Sequence, residues 1–522
     1  MKPILKDQQH RNLTFWGMAM IAMGLPLSVF LVSVGTFVLA GNWLLEGNYA
    51  KRLKQFFTNP LSLAISSIFL IHCIGLLWTE DFSWGLKDIR VKLPLLLLPL
   101  FLFTSKLPGK NRIEDVLKLF VVACIVGTIF GLPRYFELTG ELQNSRHISV
   151  FISHIRFGLM LVLAFFILAY LLFSKWQEWS ITEKLMCGGS MLWILWFTVI
   201  LEAFTAYLAF SAVLGFTAVR LMLKQQNKVI AISIIISAIS LVSASAVYIG
   251  GIVKNHYSEV PFDYRTLAIK TLNGNYYVHQ KDVLFRENGH RVWNFVCWEE
   301  LKKEWQKRSA ADFDGNDERG QELRFTLIRY MSSKGLLKDS AGLHQLTDLD
   351  IDNVEHGFTN YRYTDKLGVA RKIDEILRGW DKYSWEAAAS GSSAFQRLVY
   401  MEVGTEIFQN NLLLGVGTGD IVEAYKTEYA KDDRGLEKQF QGISHNQFLT
   451  IGITLGSIGV LIFLLAILYP VLNYRKDYLY VSFLLLMLVS FMTDNTFDRQ
   501  AGVTLFAFFN ALLIIRSEFA ET

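Results

Sequence analysis

The chain has 522 residues, of which 52% are hydrophobic and 14% aromatic but only 19% charged, more apolar than a soluble enzyme of this size carries. Its net charge of +4 is small and confined to particular loops, and no basic stripe is present to hold a nucleic acid. Cys73, Cys124 and Cys187 lie in apolar runs and Cys297 stands alone in a polar region, which excludes a disulfide framework and a C-x-x-C metal site.

The first apolar run follows Lys2, Lys6 and Arg11 and has no small-residue cleavage site, so it reads as a retained signal anchor. Apolar runs of roughly 17–25 residues can span a bilayer as helices. About twelve runs qualify, near 12–25, 27–45, 61–78, 89–104, 114–132, 149–173, 185–201, 204–221, 229–252, 446–470, 478–493 and 500–516. With the N-terminus inside, Lys51, Arg52 and Lys54, Lys106, Lys110 and Arg112, Lys175 and Lys184, Arg220, Lys224 and Lys228, and Arg475 and Lys476 share one face, as cytoplasmic loops require. The outer face receives Thr79-Glu80-Asp81, Arg134 to His147, residues 253–444, and Thr493 to Gln500. Both termini are then cytoplasmic.

The expected fold is an all-α polytopic membrane protein of about 12 transmembrane helices, with a large extracytoplasmic α+β insert between helices 9 and 10. Residues 1–252 hold helices 1–9, residues 253–444 the loop domain, and residues 445–522 helices 10–12. Within the insert, alternation around Tyr276-Tyr277-Val278-His279 and Arg291 to Val296, with turns at Asn273-Gly274-Asn275 and Glu287-Asn288-Gly289, predicts short strands over 262–300. The spacing of Leu301, Trp305, Leu323, Leu327, Ile328 and Met331 predicts amphipathic helices over 299–339. Asp312 to Asp317 has the look of a calcium loop but lacks its terminal bidentate glutamate, so it reads as a solvated turn.

Four features of the outer face carry chemistry. Arg156, with His154, lies in the first turns of the sixth span after Arg146-His147. An arginine there is costly unless it faces a cavity or partner or snorkels, and a guanidinium suits phosphate because it donates two parallel hydrogen bonds. A helix from Ser392 to about Gln409 carries Arg397, and Gly415, Gly417 and Gly419 follow in Leu-Gly-Val-Gly-Thr-Gly-Asp. Alternate glycines can present N–H groups to an anion or merely turn the chain. Finally, Ser444-His445-Asn446 opens the tenth span, where an imidazole can exchange protons with water. Gly452, Gly456 and Gly459 share a stripe with His445 at helical spacing, predicting close packing of that helix and a fixed imidazole. A helix-end histidine that only hydrogen-bonds a loop is the plainer alternative.

The order Arg397, Gly415 to Gly419, then His445-Asn446-x-x-Leu449 followed by glycines resembles the O-antigen ligase family of polytopic glycosyltransferases, over residues 392–470. The resemblance implies a glycan carried on undecaprenyl pyrophosphate, transferred at the outer face of the bacterial cytoplasmic membrane to an acceptor hydroxyl, with lipid A–core of lipopolysaccharide as the first candidate. It implies His445 and Arg397 as catalytic residues, Arg156, Arg146, Asn446, Gly415, Gly417 and Gly419 as substrate-binding residues, and neither metal nor cofactor. Many members carry a Ser-Arg pair where this chain has Leu201-Glu202-Ala203. Polymerases and protein O-oligosaccharyltransferases share the pattern. A lipid-linked sugar transporter is the non-enzymatic alternative, but no matching halves are visible.

Overall fold

In a computed structural model the chain is mostly helical; the structure describes residues 5–138, 145–224, 228–261, 267–364, 369–386 and 393–521. It folds as two compact units, the first comprising 1–137, 144–234 and 388–522 and the second 138–143 and 235–387. Residues 393–444, assigned by sequence to the loop domain, fold with the apolar helices.

The first unit begins with α1 (Asp7–Leu27), α2 (Val29–Glu46), α3 (Tyr49–Thr58), α4 (Pro60–Gly75), α5 (Phe82–Lys92), α6 (Pro94–Thr104), α7 (Lys110–Leu138), α8 (His154–Ser174), α9 (Ile181–Ile200), α10 (Phe204–Lys224) and the start of α11 (Lys228–Tyr257). Each of the twelve expected runs falls largely on helix, with two interruptions, one in 89–104 and one at Gly456 in 446–470. Pro94 has no N–H for the preceding turn, so the run 89–104 divides into α5 and α6. Among the described residues, eight helices are long and apolar enough to cross a membrane. The protein is therefore polytopic.

The second unit holds the end of α11, then β1 (Arg286–Glu287), β2 (His290–Arg291), α12 (Trp298–Arg308), α13 (Leu323–Ser333), α14 (Ser340–His344), α15 (Asp348–Glu355) and α16 (Val369–Glu386). Its core gathers Trp305, Phe313, Leu327, Tyr330 and Val354, and α12 and α13 lie within the stretch predicted helical. The predicted strands shrink to the two-residue pair β1–β2 and isolated bridges such as Val278 with Val296. Residues 262–266 of the predicted strand region lie outside the described residues, and much of 267–300 is held by single backbone contacts to its neighbours and not by a continuous ladder. Asp317 accepts from the Arg319 and Gln321 amides, both at 2.9 Å, and from the Thr326 hydroxyl at 2.6 Å, so it serves its own turn.

The chain returns to the first unit with α17 (Ser393–Asn410), α18 (Ile421–Lys431), α19 (Gln447–Tyr474), α20 (Tyr478–Thr493) and α21 (Gln500–Glu521). α19 is broken at Gly456, where φ is 67° and ψ −167°. A side chain is doubly excluded there: the backbone is left-handed, and a Cβ would lie 2.1 Å from the Leu413 carbonyl oxygen. The loop after α17 fills the gap. Val416 and Gly417 amides donate to the Ile453 and Thr454 carbonyls at 2.8 and 2.9 Å, while the Ser457 amide donates to the Leu412 carbonyl at 2.7 Å. An apolar helix can tolerate such a break only when other protein groups satisfy its freed backbone. The break also ends the predicted glycine stripe: Gly452 faces Phe408, Gly456 forms the kink, and His445 precedes the helix altogether.

Candidate active site

His445 is placed by its neighbours. Asn446 caps α19, its Oδ1 accepting from the Leu449 amide at 3.1 Å. On the other side the Ser444 amide donates to the Tyr425 hydroxyl at 3.0 Å. One turn along, the Thr450 hydroxyl donates to Asn495 Oδ1 at 2.8 Å, and the Phe497 amide donates to Gln447 Oε1 at 2.7 Å. The start of α19 is thereby tied to the connection between α20 and α21. The ring of His445 stacks on Tyr400 of α17, centroids 6.0 Å apart and planes inclined by 29°.

That connection supplies Asp494, which closes α20 through its amide on the Ser490 carbonyl at 2.9 Å. Asp494 Oδ1 lies 3.2 Å from His445 Nδ1 and Oδ2 lies 3.6 Å from Arg156 Nη2. Burial pushes this carboxyl up, but the hydrogen bond from His445 and the charges of Arg156 and Arg397 outweigh it and hold it below the ordinary aspartate value. An ionised carboxylate only accepts, so Nδ1 carries the ring proton towards it and Nε2 keeps its lone pair. His445 retains 38% of its side-chain exposure, against 12% for Asp494. The imidazole is reachable and its orienting partner is sheltered.

Two guanidinium groups flank the pair. Arg397 and Tyr400 lie three residues apart on α17 and so share a face, and Arg397 Nη1 donates to the Thr493 carbonyl at 3.5 Å. Arg156, near the start of α8, has a side chain only 12% exposed. Its Nε is buried with no hydrogen-bond partner among the described residues. A buried donor left open on a cation beside a carboxylate has the chemistry to take an anion.

Of the residues expected from sequence, His445, Arg397 and Arg156 converge on Asp494. Asn446 sits beside them, but its side chain is engaged in the cap and on the Met492 carbonyl at 3.4 Å. Gly415, Gly417 and Gly419 form no open nest. Their amides donate to the Asn411 carbonyl, the Thr454 carbonyl and the Thr79 hydroxyl at 3.0, 2.9 and 3.2 Å, so the turn braces the broken helix. The side chain of Arg146 lies outside the described residues. Glu202, where the Ser-Arg pair was expected, is a buried residue at φ 51° between α9 and α10. Asp494 itself escaped the sequence reading. Its signal was a lone carboxylate just beyond an apolar span, on the face already assigned to His445.

Residues 358–464 match the family model described as O-Antigen ligase, which supports assigning the chain to that family. No curated protein matches the chain.

Proposed function

We propose that this chain, whose residues 358–464 match the O-antigen ligase family model, transfers a glycan from undecaprenyl pyrophosphate to an acceptor hydroxyl at the outer face of the cytoplasmic membrane, with lipid A–core as that acceptor. The supporting observation is the cluster itself: a reachable imidazole oriented by a sheltered carboxylate, with two arginines beside it and an open buried donor on one of them.

The chemistry follows from those roles. His445 Nε2 takes the proton of the acceptor hydroxyl. The oxygen attacks the anomeric carbon, the bond from that carbon to the pyrophosphate oxygen breaks, and its electron pair leaves on undecaprenyl pyrophosphate with inversion at the sugar. Asp494 steadies the imidazolium that forms, as a buried carboxylate does for a general-base histidine. Arg156 and Arg397 bind the pyrophosphate and stabilise the charge that grows on it as the bond breaks. The sugar–pyrophosphate bond supplies the driving force, so the outer face needs no nucleotide.

The test is transfer measured with membrane-inserted His445→Ala and Arg397→Ala proteins; wild-type rates in both would overturn the reading. Comparing lipopolysaccharide, free polymer length and glycoproteins in a deletion strain identifies the acceptor. Loss of capped lipopolysaccharide with intact polymer is the outcome expected of a ligase.

A further inference from the structure

His445 follows a strap, residues 432–444, that leaves α18 and returns to the start of α19. The strap has little regular structure beyond a short turn at Lys438–Phe440, so side chains must hold it in place against its conformational entropy. Both carboxylate oxygens of Glu406 on α17 accept from Arg434 Nη2, at 2.8 and 2.7 Å. The Tyr429 hydroxyl of α18 donates to the Gly442 carbonyl at 3.0 Å. The Tyr425 hydroxyl accepts from the Ser444 amide and donates to the Tyr400 carbonyl at 2.9 Å. Finally, the Tyr400 hydroxyl donates to the Phe440 carbonyl. Burial pushes this phenol up, so it keeps the proton that the bond uses. A Cβ on Gly442 would lie 2.9 Å from Cζ of Tyr400, so a glycine there lets the strap lie directly against the ring.

Tyr400 also carries the imidazole of His445 over its face, with centroids 6.0 Å apart and planes inclined by 29°. Asp494 holds that imidazole by one edge, at Nδ1. A single hydrogen bond fixes a direction and leaves the ring free to tilt about it. A flat aromatic face beneath the ring opposes the tilt, and Nε2 is then aimed along one line, as an in-place base requires. The same face attracts the positive charge that the imidazole gains when it takes a proton.

We propose that Tyr400 is a positioning residue of the transfer reaction: its ring sets the plane of His445 while its hydroxyl fixes the strap from which His445 is presented. This rests on the reading of His445 as the base and deepens it. Arg397 lies three residues earlier on the same face of α17, so one helix carries both a cation for the pyrophosphate and the support of the base.

The experiment measures kcat, KM for the lipid-linked donor and the unfolding temperature of the full chain in nanodiscs. Tyr400→Leu removes the aromatic face and is expected to lower kcat about 10–100-fold while KM stays near the wild-type value. Tyr400→Phe keeps the face and gives up one hydrogen bond, and its kcat is expected within about threefold of wild type. A Tyr400→Leu protein with unchanged kcat per folded molecule overturns the inference, whatever its stability. So does a Tyr400→Phe protein as slow as Tyr400→Leu, because the hydroxyl alone then explains the loss. The double variant His445→Ala/Tyr400→Leu separates the inference from the reading beneath it. It is expected to be no slower than His445→Ala alone; a further fall shows that Tyr400 acts other than through the imidazole, which overturns the inference and leaves the base in place. His445→Ala at the wild-type rate instead removes the base reading itself. Should Tyr400→Leu fail to insert, Tyr400→Phe decides: kcat within about threefold of wild type supports the inference, and a larger fall overturns it.

Discussion

Each unit of this protein sets a histidine beside aspartate with an arginine close by, and the two arrangements differ in completeness. In the second unit, His256 Nδ1 lies 3.0 Å from Asp374 and Nε2 lies 2.7 Å from Asp381, with Arg378 at 2.8 Å from Asp374 and the Tyr257 hydroxyl at 3.2 Å from Asp381. Both ring nitrogens are occupied and the side chain is 8% exposed. Burial lowers the affinity of this ring for a proton, but the two aspartates more than reverse that and raise it to about 9. It is a charged clamp joining the end of α11 to α16. In the first unit His445 has one carboxylate, at a longer distance, and a second nitrogen turned away from it, and Arg156 keeps an open donor. A satisfied cluster has nothing left to give a substrate, so function is read from the groups that folding leaves unfinished.

Substitutions can break that contrast in order of effect. His445→Ala is expected to lower the transfer rate about 10²–10⁴-fold, the usual worth of a general base, without moving the unfolding transition. An equal loss in both would make His445 a structural residue like His256. Asp494→Asn keeps the shape but no longer favours the charged ring, and about a 10–100-fold fall in rate is expected, seen in the turnover number more than in donor affinity. Gly456→Ala forces a side chain into left-handed backbone at a cost of about 1–3 kcal/mol, besides its collision with Leu413. Less folded protein in detergent, with residual activity per folded molecule near normal, is the expected result.

The smallest effect sharpens the comparison from the other side. His256→Gln should leave transfer close to the wild-type rate and weaken only the second unit. Because the folded His256 holds its proton up to about pH 9 and an unfolded histidine only to about 6.5, its stabilisation is complete below pH 6.5 and disappears as pH rises through 9. The wild-type unfolding temperature should therefore fall between pH 7 and 10 by more than that of the variant. Parallel curves would show that the clamp does not couple to folding.

The sequence made the local parts of the site visible and left their meeting hidden. Arg156 and His445 announced themselves because ionisable groups at the ends of apolar runs are rare and costly, and Arg397 through its place ahead of the glycine turn. Asp494 had no such pattern around it: one aspartate after a span resembles any polar loop residue until the fold brings it to an imidazole. The glycine turn shows the opposite case. Gly-x-Gly-x-Gly was expected to offer backbone to an anion or merely to turn the chain, and its glycine amides bond to the Asn411 carbonyl, to Thr454 of α19 and to Thr79 in the loop after α4. Whether an exposed-looking N–H is free depends on what packs over it, and periodicity does not carry that information.

Composition, the lengths of the apolar runs and the sign of the loop charges determined by themselves that the chain is a helical membrane protein, because a bilayer accepts few other solutions and each leaves a one-dimensional record. The motif from Arg397 to Leu449 likewise carried the resemblance to the O-antigen ligase family, whose model matches residues 358–464. Only the tertiary structure decided that α19 is broken and repaired by residues 412–417, and that Asp494 joins His445 to Arg156. Those are contacts between residues far apart in the chain, set by packing and by the need to satisfy buried polar groups, and no local pattern encodes them.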